Sequence, residues 1–229
     1  QGEVRNSWKY PDQWYETNCM GIVRLTEELR KRDYIKKYIS ASTPEVYGTT
    51  EDNLKESHNY FPSTPYGASK LAGDLHLFTL FKRYNFPVVF TRSANVYGIH
   101  QQLYRIIPKA IIYLKMGKKI QLHGEGKSER SFVHIRDVVE ATMKVAEKGT
   151  NGEIYHISPS DNQVSIFSLV KMVCNMMDIN FENSVELITN NYGQDSKFSI
   201  SSKKIRSQLG WEPKISLVEG IQETIDWIE

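Results

Sequence analysis

Tyr66-Gly67-Ala68-Ser69-Lys70 opens a helix-patterned stretch, and Ser42-Thr43-Pro44-Glu45-Val46-Tyr47-Gly48 closes the β-rich stretch before it. Ser63-Thr64-Pro65 announces the helix, with Thr64 as the N-cap and Pro65 at the first helical position. Positions i and i+4 share a helix face, so the Lys70 ammonium is expected near the Tyr66 phenol. A free phenol ionises near about pH 10 and is a poor base at neutrality. A neighbouring cation favours phenolate, which lets such a tyrosine take a hydroxyl proton while hydride leaves the same carbon. A hydroxyl on Thr43, at a strand end, could hydrogen-bond the same oxygen. The plainer alternatives are a lysine packed over a tyrosine ring and a Thr43 that bonds its own backbone.

Outward from these two stretches, helix and strand patterns alternate. Residues Pro11 to Arg32 carry Trp14, Ile22, Leu25 and Leu29 at helical spacing, and Tyr38 to Thr43 read as a buried strand. Residues 49–62 are a polar loop. In the helix from Pro65, Leu71, Leu75, Phe78 and Phe81 are the expected buried stripe. Pro87 to Arg92 form a second buried strand ending in Ser93-Ala94-Asn95, and Ile106 to Met116 a further helix. Lys119–His123 and Ser131–His134 are short strands about a Gly-rich turn. Helices Ile135–Lys148, Ser165–Met177 and Leu217–Ile228 and a strand Glu153–Ile157 complete the pattern. Such alternation predicts an α/β fold with a parallel sheet.

Composition excludes several classes. The chain of 229 residues is 40% hydrophobic and 24% charged with net charge +2, so it can bury a core and has no bias toward nucleic acid. The basic runs Arg30-Lys31-Arg32 and Lys203-Lys204 read as solvated helix faces rather than a nucleic-acid patch. Cys19 and Cys174 have no metal-type spacing and fit a reducing cytoplasm. No apolar run approaches the about 20 residues that span a bilayer, so no membrane partner is expected.

Further blocks stand in order along the chain: Glu16-Thr17-Asn18-x-x-Gly21, Pro62-x-x-Pro65-Tyr66-x-Ala68-Ser69-Lys70, Thr91-Arg92-x-x-Asn95-x-Tyr97-Gly98, Gly124-x-Gly126 with Arg130, Asp137, and Leu209-Gly210-Trp211-x-Pro213. With Ser42-Thr43-x-Glu45-Val46-Tyr47-Gly48, this ordered set resembles the extended short-chain dehydrogenase/reductases. Within them it is most similar to the nucleotide-sugar 4,6-dehydratases, of the dTDP-glucose or GDP-mannose type, and the 4-epimerases. The resemblance covers essentially the whole chain. It implies a Rossmann-like parallel sheet, N-terminally truncated, with a smaller C-terminal substrate-binding lobe. Residues 1–98 and 137–160 would belong to the NAD-binding domain, and residues 99–136 and 161–229 to the lobe.

The same resemblance implies roles. Thr43, Tyr66 and Lys70 would carry oxidation at C4 of the sugar, with Lys70 also holding the nicotinamide ribose and Tyr66 and Ser93 against the cofactor. Asn18 would support the helix carrying Lys70. Asn95, Arg105, Arg130 and Gln194 would bind substrate, Asn95 and Arg130 at the diphosphate, where a fork-shaped guanidinium suits phosphate oxygens. Glu45 marks the reaction type, because 4,6-dehydratases carry Glu there to remove the C5 proton and simple 4-epimerases lack it. Pro44 departs from the Asp of dTDP-glucose enzymes, and Tyr192-Gly193-Gln194-Asp195 departs from their Pro-Gly-His-Asp. A homodimer built on the helices near Asn18 and Tyr66 is also implied.

Some patterns mislead. Gly124-Glu125-Gly126 lacks the third Gly and following helix of a dinucleotide loop. Ser168-x-x-Lys171 and Ser160-Asp161-Asn162 stand in the wrong order for penicillin-binding chemistry. His123 and His134 have no carboxylate at metal spacing, so no metal is expected. The chain starts at Gln1 and carries no Gly-rich loop for the NAD pyrophosphate, so it is read as lacking its natural beginning. The leading reading is an NAD-dependent nucleotide-sugar 4,6-dehydratase with a dTDP-glucose-like substrate. The alternatives are a 4-epimerase or related oxidoreductase, and a non-catalytic scaffold on the same fold. Because helix N-termini and loop N–H groups supply the anion site for a pyrophosphate, these 229 residues alone are expected to bind NAD poorly. Calorimetric titration checks this, and micromolar binding would refute it.

Overall fold

The computed structural model describes residues 1–49, 53–159, 163–189 and 199–228. In chain order the elements begin with α1 (Val4–Lys9), α2 (Pro11–Tyr15), a π-helical turn Glu16–Met20 and α3 (Gly21–Leu29). They continue with β1 (Tyr38–Ala41), a 3-10 turn Pro44–Tyr47, α4 (Pro65–Tyr84), β2 (Val88–Ser93), β3 (Asn95–Tyr97) and α5 (Ile106–Lys115). Then follow β4 (Ile120–His123), β5 (Glu129–His134), α6 (Ile135–Lys148), β6 (Ile154–Ile157), β7 (Gln163–Ser165) and α7 (Ile166–Met176). The chain finishes with α8 (Phe181–Ser184), β8 (Val185–Ile188), α9 (Lys203–Leu209) and α10 (Leu217–Trp227).

The parallel sheet expected from the alternation is present, in the order β1-β2-β6. Strand β2 is its middle and is buried on both faces, which is why it reads as a continuous apolar run. Val88 and Phe90 pack with Leu77, Phe78 and Leu80 of α4 on one face. Val89 packs with Ala141 and Val145 of α6 and Ile205 of α9 on the other. With side chains alternating at period 2, Arg92 falls on the α4 face. A second sheet joins β3, β5 and β7, β3 parallel and β7 antiparallel to β5, and β4 pairs with β8. Helices α5, α7 and α10 close a separate apolar cluster with β4 and β5.

Two sequence expectations change. The stripe of Leu71, Leu75, Phe78 and Phe81 is only part of the buried face of α4: Phe78 is buried and Leu71 and Phe81 are half-buried. Leu75 is 47% exposed, and the buried residues are Gly67, Ser69, Gly73, Asp74, Leu77, Phe78 and Leu80. The helix lies so flat on its neighbours that small and polar residues, not only large apolar ones, form its inner face. The helix from Pro11 is also not uniform. At Gly21 the backbone N–H bonds the Glu16 carbonyl, five residues back, and this widened turn holds Asn18.

Two blocks of the sequence motif meet as a structural latch. The Trp211 indole, fully buried, donates to the Asp137 carbonyl at 3.0 Å. The Asp137 carboxylate, in the first turn of α6, accepts the Lys214 and Ile215 backbone N–H groups at 3.0 and 3.1 Å. Leu77→Ala should cost about 2–5 kcal/mol, because Leu77 has no exposure and sits between α4 and the sheet. Met143→Ala, on the exposed side of α6, should stay within about 0.5 kcal/mol. Urea unfolding midpoints of the two variants check both values.

Candidate active site

The carboxyl ends of β1 and β2 and the first turns of α4 converge on one place. Strand β1 runs out with the Ser42 N–H still bonded to the Thr91 carbonyl at 2.8 Å. Thr43 stays extended and caps the 3-10 turn, its hydroxyl oxygen accepting the Glu45 N–H at 3.3 Å. Pro44 suits the first position of that turn because it has no N–H to satisfy. Thr64 caps α4 by accepting the Gly67 N–H at 3.0 Å, as the sequence indicates.

Two glycines let α4 come this close. A Cβ on Gly67 would lie 2.9 Å from the Glu45 carbonyl oxygen, and one on Gly73 2.4 Å from the Asn18 carbonyl oxygen. Asn18 is buried and fixes the helix from behind. Its amide donates to the Ser69 hydroxyl at 3.1 Å and to the Gln1 carbonyl at 3.0 Å, and Ser69 in turn donates to the Tyr66 carbonyl at 2.8 Å. Helix α1, which the sequence reading missed, adds Ser7, whose hydroxyl accepts the Tyr66 N–H at 3.2 Å. The signal for α1 was slight: six residues, with Glu3 as its cap.

The structure therefore brings Thr43, Glu45, Tyr66 and Lys70 together, but not with the electrostatics expected. Lys70 Nζ donates to the Ala41 carbonyl at 2.8 Å, at the end of β1. The Tyr66 phenol is pushed up to about 12, by removal from water first and by the Glu45 carboxylate second. The Thr43 hydroxyl and the Arg105 guanidinium pull it back down, and Asp74 adds to the rise. The expectation that the neighbouring lysine lowers the phenol is thus not met, because burial and the Glu45 carboxylate dominate it. Burial likewise pulls the Lys70 ammonium below its usual value, and the charge of Asp74 opposes this.

The remaining candidate residues are spread around this centre. Arg105 caps α5, is exposed, and lies over the Tyr104 ring at 5.5 Å. Its charge is felt by Tyr66, so it sits by the reaction centre. Ser93, half-buried, ends β2 opposite Ile157. Asn95 is exposed on β3 and stands opposite Phe132 of β5, so Arg130, two residues earlier, shares its face of that sheet. Arg130 donates to the Glu129 carbonyl at 2.7 Å. Gln194 lies outside the described residues. Among the described residues no group of His, Cys, Asp or Glu is placed to hold a metal ion.

The sequence reading also missed a buried polar cluster under the site. It centres on the ion pair of Asp74 with Arg92, at 2.9 Å with both side chains buried. It continues through Tyr47 to His156, 2.9 Å from the Tyr47 hydroxyl. The signal was Asp74 itself, a lone carboxylate one turn after Lys70 on α4.

The GDP-mannose 4,6 dehydratase family model matches residues 1–224. The chain belongs to that family. This family member is 38% identical to dTDP-D-glucose 4,6-dehydratase of Mus musculus over 199 residues, 84% of this chain and 56% of the relative. It thus spans little more than half the length of that relative. The crystal structure of DesIV, a dTDP-glucose 4,6-dehydratase from Streptomyces venezuelae with NAD bound, superposes at a TM-score of 0.94 with 28% identity, over 99% of this chain and 70% of that one. A UDP-glucuronic acid 4-epimerase from Bacillus cereus, with UDP-glucuronic acid and NAD, follows at 0.92 and 27%, over 99% and 72%. The Rossmann-like fold expected from the motif blocks is that of these neighbours.

Burial of His156 has a pH consequence. Its imidazole is pushed down to about 3, chiefly by burial and then by Arg92. An unfolded chain takes up this proton near pH 6.5 while the folded one does not, so folding stability is lost as pH falls from about 6.5 toward 3. His156→Gln is expected to flatten that part of the pH dependence of the urea midpoint. A slope equal to the parent's would contradict the burial of a neutral imidazole.

Proposed function

We propose that the protein is an NAD-dependent nucleotide-sugar 4,6-dehydratase acting on a dTDP-glucose-like substrate. The observation that carries this reading is Glu45. Its carboxylate, held in the turn that Thr43 caps, acts directly on the Tyr66 phenol. One short segment therefore offers a hydroxyl and a carboxylate beside a tyrosine and a lysine. A 4-epimerase needs only the hydroxyl, the tyrosine and the lysine. The carboxylate supplies what an elimination across C5 and C6 requires in addition, a base near C5.

The residues present suit the nicotinamide end of NAD. They lie at the carboxyl ends of parallel strands, where such folds hold ligands. The Lys70 ammonium has three donors, and the Ala41 carbonyl takes one. When bound, NAD supplies the acceptor for the hydrogen removed from C4 and returns it at C6. In its phenolate form Tyr66 takes the proton of the C4 hydroxyl, and Thr43 orients that oxygen. Lys70 holds the ribose hydroxyls, with Tyr66 and Ser93 beside the cofactor. Glu45 removes the C5 proton once C4 is a ketone and can pass it to the hydroxyl leaving C6 as water, a step Pro44 cannot perform. Hydride return to C6 is then matched by a proton returned to C5, which balances the one Tyr66 took from the C4 hydroxyl. Asn95 and Arg130, on one face of a sheet, hold the diphosphate, and Arg105 and Gln194 complete the substrate contacts.

The division of residues 1–98 and 137–160 from 99–136 and 161–229 belongs to the same reading, as does a cytoplasmic setting. A homodimer is supported by apolar side chains left exposed on the helices beside the site, Leu25 on α3 and Leu75 on α4. No described helix is long and apolar enough to cross a membrane.

Given dTDP-glucose and NAD in large excess, to offset the poor binding expected of these 229 residues alone, the protein is expected to form a 4-keto-6-deoxy sugar nucleotide, seen by its near-ultraviolet absorbance in alkali. Tyr66→Phe should lower turnover by about 100-fold or more. Glu45→Gln should stop the elimination while still reducing bound cofactor. A parent that only interconverted C4 epimers would assign the protein to the 4-epimerases instead. A Glu45→Gln variant making keto-deoxy sugar at the parental rate would remove the case for dehydration.

A further inference from the structure

The buried cluster beneath Tyr66 and Lys70 has no part in the reaction as proposed. Arg92 Nη2 donates to Asp74 Oδ2 at 2.9 Å, and the same oxygen accepts the Ser42 hydroxyl at 2.5 Å. Arg92 also reaches the Tyr60 hydroxyl at 3.3 Å, and its guanidinium lies over the Tyr47 and Tyr60 rings at 4.7 and 5.0 Å. A charge pair with both members out of water is weak evidence for a role in stability, since apolar replacements of such pairs are often neutral. Its position is more informative. Asp74 follows Lys70 by one helical turn and Tyr66 by two, on the same face of α4. Ser42, which it holds, is the residue before Thr43.

We propose that Asp74, clamped by Arg92 and Ser42 one helical turn beyond Lys70, is a positioning residue that sets the charge facing Lys70 and fixes the strand end that carries Thr43. This rests on the reading of Tyr66 and Lys70 as the reacting pair. Lys70 is drawn toward neutrality by burial, and Asp74 is the charge that opposes it. Burial pushes the Asp74 carboxyl up in turn, and Arg92, Ser42 and Lys70 oppose that rise. Asp74 also raises Tyr66. The other groups facing these three are identified. Around Asp74 and Arg92 stand Tyr47 and Tyr60, then the neutral His156, whose backbone N–H donates to the Glu56 carboxylate at 2.9 Å. Lys70 faces the Ala41 carbonyl and the amino group of Gln1, and Tyr66 faces Glu45, Thr43 and Arg105. Asp74 is the carboxylate that acts on both members of the reacting pair.

Removing its charge should let both groups lose their protons at lower pH. Asp74→Asn is therefore expected to move the acidic and alkaline limbs of kcat/KM together to lower pH, by about half a unit or more. Asp74→Glu should return them toward the parent. A purely structural role would reduce turnover and leave the limbs where they are. The second measurement needs no turnover: the Lys70 side-chain resonance, assigned with Lys70→Met, is titrated in parent and variant. It should titrate at lower pH in Asp74→Asn. If Asp74→Asn does not fold, the double variant Asp74→Asn/Arg92→Met removes both charges and is measured in the same way. Parent turnover with unmoved limbs, or a Lys70 midpoint equal to the parent's in either variant, would overturn the proposal. A parent inactive on every nucleotide hexose would instead defeat the assigned reaction, and the Lys70 titration would still decide the role of Asp74.

Discussion

The close approach of α4 to the ends of β1 and β2 is the constraint on which the rest of the site depends. It requires no side chain at Gly67, where the helix meets the Glu45 carbonyl, and none at Gly73, where it meets the Asn18 carbonyl. With those two contacts made, the first turns of α4 lie over the strand ends. Lys70 then reaches the Ala41 carbonyl, and Asp74 reaches Ser42 and Arg92. Polar groups so close to a sheet would cost free energy if left unpaired. Here each bond that satisfies one of them also ties the helix to a strand. The helix is held from behind by the amide of Asn18, through Ser69 to the Tyr66 carbonyl. The π turn offers a reason for its own existence: one extra residue in the turn places the Asn18 backbone against Gly73 and its side chain toward Ser69.

Several residues of the family blocks act at a distance from this centre and explain themselves by packing. Trp211 and Asp137 lock the segment after α9 onto the start of α6. Tyr97 is fully enclosed, donates to the Ser216 carbonyl at 3.2 Å, and leaves no room for a Cβ on Gly220. Because β3 pairs with β5, these contacts fix the sheet that carries Asn95 and Arg130 relative to α10. A motif block is therefore not by itself a list of residues that touch substrate.

The fold was legible in the sequence where a local signal and the tertiary structure agree. Thr64-Pro65 starts α4 where a cap and a proline predict it, and the apolar run Val88 to Phe90 is the strand buried on both faces. What could not be read depends on contacts distant in the chain. The inner face of α4 contains Ser69, Gly73 and Asp74, whose burial makes sense only once Asn18 and Arg92 are beside them. The same limit explains the Tyr66 phenol. Helical spacing shows that a lysine is near, but not that burial and Glu45 dominate the phenol, nor that the lysine is turned to a strand carbonyl.

The turn at Thr43-Pro44-Glu45 shows how a residue that reads as plain turn chemistry can serve a reaction as well. Proline has no N–H, so the first donor of the turn is that of Glu45, and it is bound by the Thr43 oxygen at 3.3 Å. A hydroxyl has one hydrogen to give and lone pairs to accept with. Occupying the acceptor side with the backbone leaves the hydrogen to point elsewhere. The direction of its effect on Tyr66 agrees, because Thr43 lets the phenol ionise at lower pH, as a donor to phenolate does. In the proposed reaction the capping bond and the catalytic bond are therefore not alternatives. The cap orients the hydroxyl toward the oxygen it must serve and, through the same backbone N–H, fixes where the Glu45 carboxylate begins.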